Sequence, residues 1–208
     1  MLITPKLISD IPDPQDWWKC LGLDREYRES IATALFSLHP DGVTPEEFAS
    51  LPEFDPCDLV NTLMAILPGV DNGMSLLRHF ACACAERVLD RDQQGGQEVP
   101  RAALEVAKRY ADGTATTEEL ADAKHTVRHT CWGCVWSACY IYDPAAAWHS
   151  GNDAATHAAM LASAAHPIVM CGTWVTISGK DLAPEVIQAF NDERVWQAKY
   201  LAQQLEGS

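Results

Sequence analysis

Two cysteines separated by two residues, Cys131-Trp132-Gly133-Cys134, form the segment with the most evident chemical potential in this chain of 208 residues, because such a pair can be a redox couple or half of a zinc site. A redox couple needs its first thiol at a helix N-terminus, after a strand, where the helix dipole stabilises the thiolate. Here the capping pattern Thr116-Thr117-Glu118-Glu119 predicts a helix running to about Tyr142, which buries both cysteines in mid-helix about four turns later. Zinc would need more ligands. His125 and His129 share a helical face, but His129 and Cys131 point about 160° apart at 100° per residue, so the two pairs cannot meet at one ion. Completing either half would take His79, Cys82, His157, His166 or Cys171 from another element. The simpler reading makes Cys131, Cys134 and Cys139 small, soft core residues and leaves His125 and His129 as polar edges. No metal ligands and no cofactor are expected.

Other chemistry is equally sparse. Cys82 and Cys84 are two residues apart on a helix and project to opposite sides, which suits packing rather than chelation. The chain has no G-x-S-x-G elbow, P-loop, G-x-G-x-x-G, H-E-x-x-H or EF-hand loop. Asp55-Pro56 and Asp143-Pro144 read as helix starts, and Gly95-Gly96 as a flexible connection. No catalytic residue is assigned, and the expectation is a protein that is not an enzyme.

The elements that would position these residues are helical in period almost throughout. Asp24 to Leu38 places Tyr27, Ile31, Ala34, Leu35 and Leu38 on one side, and Pro40-Asp41-Gly42 ends it. Thr44-Pro45-Glu46-Glu47 combines an N-cap, a proline at the first helical position and a capping-box glutamate. Pro56 to Leu67 carries Leu59, Val60, Leu63, Met64 and Leu67 and stops at Pro68-Gly69. Ser75 to Leu89 is apolar around much of its circumference, as a central helix would be. Asp90 to Val99 reads as a polar loop, followed by a helix from Arg101 to about Ala111 that Gly113 closes. The run from Thr117 carries one stripe of Leu120, Ala123, Val127, Cys131, Cys134, Ala138 and Ile141, and a second of His125, His129, Trp132, Trp136 and Tyr140. Ala154 to Ala165 is an alanine-rich helix, while 168–178 is open between strand and kinked helix. The last helix, Pro184 to Leu205, is expected to dock by Ile187, Phe190, Ala198, Leu201 and Leu205, with Trp196 and Tyr200 on the other side.

Charge narrows the partners. Fifteen Lys and Arg against 29 Asp and Glu give a net charge of −14, which repels phosphate backbones and anionic lipid. Residues 1–60 alone carry 12 acids against 4 bases. No run is long and apolar enough for a membrane helix, and residues 1–19 lack the basic and apolar segments of a signal peptide. Eight cysteines are far fewer than a disulfide scaffold would have at this length, so a cytoplasmic setting with reduced thiols is expected.

Three stretches, Leu76 to Leu89 (LLRHFACACAERVL), Pro100 to Gly113 (PRAALEVAKRYADG) and Thr116-Thr117-Glu118-Glu119-Leu120, resemble the alanine-rich helical immunity proteins of bacteria and phages. Glu193 to Leu201 (ERVWQAKYL) is similar to the closing helix of that family. The likeness spans about 74–205 and implies an all-α body in which the cysteines between Trp132, Trp136 and Tyr140 fill small-residue places. It supplies no catalytic residues.

The resulting expectation is an all-α fold of about seven to nine helices in an antiparallel bundle or irregular array. It has an acidic N-terminal helical segment over 1–73 and an alanine-rich domain over 74–208. Its function would be to bind a protein with a basic surface, as an immunity protein against a toxin or a phage protein that blocks a bacterial defence protein. Asp10, Asp13, Asp16, Trp17, Trp18, Glu46, Glu47, Glu53, Asp55 and Asp58, with Trp196 and Tyr200, are the candidate contacts. Two alternatives are an acidic mimic of DNA that occupies a nucleic-acid-binding protein, and a zinc-binding regulatory helical protein.

Overall fold

The computed structural model describes residues 1–11, 25–89, 98–127, 138–139, 154–156, 158 and 184–207. Among them every regular element is helical, and the single β pairing is an isolated antiparallel bridge between Ile3 and Val43. The fold is all-α. The helices are α1 (Pro5–Ser9), α2 (Arg25–Leu38), α3 (Pro45–Phe48), α4 (Pro56–Ile66) with a 3-10 turn at Leu67–Gly69, α5 (Gly73–Leu89), α6 (Glu98–Ala111), α7 (Thr117–Val127) and α8 (Pro184–Glu206).

The chain divides into two compact units, one of residues 1–73 with 198–208 and one of 74–197. The terminal residues thus join the N-terminal unit rather than the alanine-rich one expected to hold all of 74–208. They do so because Ala198, Leu201, Ala202 and Leu205 are buried, and because the Glu206 carboxylate accepts the backbone N–H of Glu46 at 3.3 Å.

In the first unit, local chemistry starts each short helix. Thr4 caps α1, its Oγ1 accepting from Leu7 N at 3.0 Å, and Asp55 caps α4 through Cys57 N at 2.8 Å. At α3 the capping box forms in full: Thr44 Oγ1 accepts from Glu47 N at 3.2 Å, and Glu47 Oε2 accepts from Thr44 N at 2.8 Å. Ile3, Ile8, Leu35, Phe48, Leu63, Met64 and Leu67 are fully buried, and the Phe48 and Phe54 rings lie 5.8 Å apart. Hydrophobic removal of these side chains from water holds the unit together, each contributing about 1.5–3 kcal/mol.

The buried side of α2 differs from the expected one. Arg28, Ile31, Ala32 and Leu35 face inward, while Ala34 and Leu38 are exposed. Arg28 is the reason: its guanidinium donates to the carbonyl of Ile11, so a polar residue takes an inward place at i, i+3, i+4, i+7 spacing and turns the helix.

In the second unit α5 is buried on two sides, and Cys82 and Cys84, which project in opposite directions, are both shielded from water. Helix α6 begins at Glu98, inside the segment read as loop, because Pro100 falls in the first turn, where its missing N–H costs no hydrogen bond. Ala103, Leu104, Ala107 and Ala111 form its inner stripe. Gly113, at φ 70°, closes it, and a second complete capping box opens α7: Glu119 N donates to Thr116 Oγ1 at 3.1 Å and Thr116 N to Glu119 Oε2 at 2.7 Å. The run beyond Val127 lies outside the described residues as far as 137. Ala138 and Cys139 beyond it are buried.

Candidate functional site

The acidic residues of the first unit separate into two groups once their partners are known. Glu47 is held by the capping box, and hydrogen bonds from the Thr44 backbone and hydroxyl keep its carboxyl below the ordinary carboxylate range. Asp55 is an N-cap, and Asp58 is half-buried, accepting the hydroxyl proton of Tyr27. Burial pushes the Asp58 carboxyl above its ordinary value and the nearby Asp55 charge adds to this, against the opposing effect of the Tyr27 hydrogen bond. The same burial, with the Asp58 hydrogen bond and charge, pushes the Tyr27 phenol well up. These three carboxylates order α3 and α4. Asp10 is exposed but ion-paired with Lys6 one turn earlier.

Glu46 and Glu53 project into solvent. Asp13, Asp16, Trp17 and Trp18 lie outside the described residues. Taken whole, the first unit carries 14 acids against 5 bases, a net charge of −9 out of −14. Its surface can attract cations and basic proteins, and among its described residues no nucleophile, base and acid stand in hydrogen-bonded series.

The second unit holds a buried polar cluster that hydrophobic periodicity did not reveal. On α8, Glu193, Arg194 and Gln197 occupy buried positions; of the expected stripe Ala198, Leu201 and Leu205 are buried, Phe190 is half-buried and Ile187 is 36% exposed, so toward its start polar residues take inner places where the apolar stripe was expected to continue. Arg87 Nε on α5 donates to Glu193 Oε2 at 2.7 Å. Arg194 donates to Gln197 Oε1 at 3.1 Å and to Thr156 Oγ1 at 2.9 Å, and Gln197 Nε2 donates to the carbonyl of Ala155 at 2.9 Å. Buried polar groups persist where they find such partners, and this set ties α8 to the alanine-rich segment. Trp196 is half-buried with Arg87 over its ring, and Tyr200, in the first unit, is half-buried. The indole therefore meets another helix.

Among the described residues no group of three or more His, Cys, Asp or Glu side chains converges as a metal site would require. His79 pairs with Asp112 at 3.0 Å, and His125 is exposed. Cys139 donates its thiol to the carbonyl of Ala103 at 3.7 Å, and burial pushes that thiol up to about 12. Burial also pushes Cys82 up, with a smaller contribution from the nearby Cys139. Thiols held in this way are poor nucleophiles. Cys131, Cys134, His129, His157, His166 and Cys171 lie outside the described residues.

Phe36 is a surface residue that sequence reasoning passed over. It lies about 100° from Leu35, off the inward stripe of α2, and is 61% exposed. An apolar residue off the helical stripe was the signal available.

Comparison with protein-family models, with curated proteins and with solved structures finds no match. No helix among the described residues is long and apolar enough to cross a membrane.

Proposed function

We propose that this protein is a non-enzymatic, cytoplasmic inhibitor or neutraliser that works by binding another protein, as an immunity protein against a toxin or a phage product against a bacterial defence protein. The observation that carries the reading is the concentration of charge: −9 falls in the unit of 1–73 with 198–208. Carboxylates gathered in this way steer a basic partner and raise its association rate, while apolar anchors supply most of the affinity. Glu46 and Glu53 on the surface, with Asp10, Asp13, Asp16, Trp17 and Trp18, are the proposed contacts. Glu47, Asp55 and Asp58 serve by ordering the helices behind them. In this reading the helices pack as an antiparallel or irregular array, a rigid support that loses little entropy on docking.

The test is capture from a host lysate with the full chain, repeated with Trp17 and Trp18 both replaced by alanine and at rising salt. A partner with a basic surface that survives moderate salt and loses affinity on the double replacement supports the proposal. A partner that is itself a nucleic-acid-binding protein, held only at low salt, points to the DNA-mimic reading instead. Turnover of a substrate by the purified chain would sink both.

A further inference from the structure

We draw no further inference here: the strongest candidate, the buried side-chain cluster of Glu193, Arg194 and Gln197 on α8 with Arg87 of α5 and Thr156, belongs to the polar set already described as tying α8 to the alanine-rich segment, and nothing in the structure shows a ligand's way in to Glu193 Oε1 and Arg194 Nε, its two atoms without a hydrogen-bond partner among the described residues.

Discussion

The guanidinium of Arg87 lies 4.3 Å from the centroid of the Trp196 ring, while its Nε donates to the carboxylate of Glu193, three residues earlier on the same helix. One cation on α5 thereby serves two side chains on α8. Only 1% of the Glu193 side chain is exposed, and among the described residues its Oε1 has no hydrogen-bond partner, so the Arg87 guanidinium is the cation seen to compensate the charge there. Arg87→Ala is expected to destabilise the protein by about 3 kcal/mol, the cost of leaving a buried charge unpaired. Arg87→Ala with Glu193→Gln should recover part of that loss. Urea denaturation of the two variants measures both, and equal midpoints for them would contradict the pairing.

The two capping boxes make separable contributions. Thr44→Ala and Thr116→Ala should each cost about 1 kcal/mol, and the two losses should add, because the caps belong to different helices and share no partner. Thermal unfolding followed by circular dichroism checks this.

Acid titration should show two opposing effects. Glu47 and Glu119 are held below their ordinary value of 4.5 by hydrogen bonds, chiefly from the backbones of Thr44 and Thr116. Their contribution is present above that pH and is lost as pH falls through the lowered folded values. Asp58, raised above 3.8 chiefly by burial, acts with the opposite sign: the folded state holds its proton more tightly, so stability falls as pH rises through its raised value. In Asp58→Asn this loss on raising pH should vanish, while in Glu47→Gln with Glu119→Gln the loss on acidification should shrink. Denaturation midpoints between about pH 3 and pH 7 give the slopes.

Alkylation should sort the described cysteines by burial. Cys82, Cys84 and Cys139 are buried, whereas Cys57 is half-buried. Iodoacetamide at pH 8 should modify Cys57 first, and the other three only with added denaturant, as peptide mass spectrometry would show. Rapid labelling of Cys82 in the folded protein would contradict the packing role given to it.

Glycine positions differ sharply in tolerance. A Cβ on Gly73 would run into the carbonyl of Leu67, while one on Gly69 would meet nothing within 4 Å. Gly73→Ala is therefore expected to lower the melting temperature by several degrees, on the order of 2 kcal/mol or more, and Gly69→Ala to leave it nearly unchanged. A scanning melt of the two variants decides the matter.

The amino-acid order determined what is local. Thr44 with Glu47, Thr116 with Glu119, Pro56 after Asp55, and Gly113 at a positive φ act through neighbours within about four residues, so the helices and many of their ends could be placed from spacing alone. The all-α character follows from the same short-range periodicity. Tertiary structure decided which side of each helix faces inward when a polar residue competes for it. Arg28 rotates α2 because a carbonyl far along the chain, at Ile11, receives its proton. Glu193, Arg194 and Gln197 enter the interior of α8 because Arg87, Thr156 and Ala155 satisfy them there. Such burial depends on a partner that no count along the helix can supply, since a charge is stable out of water only where another chain segment brings its complement.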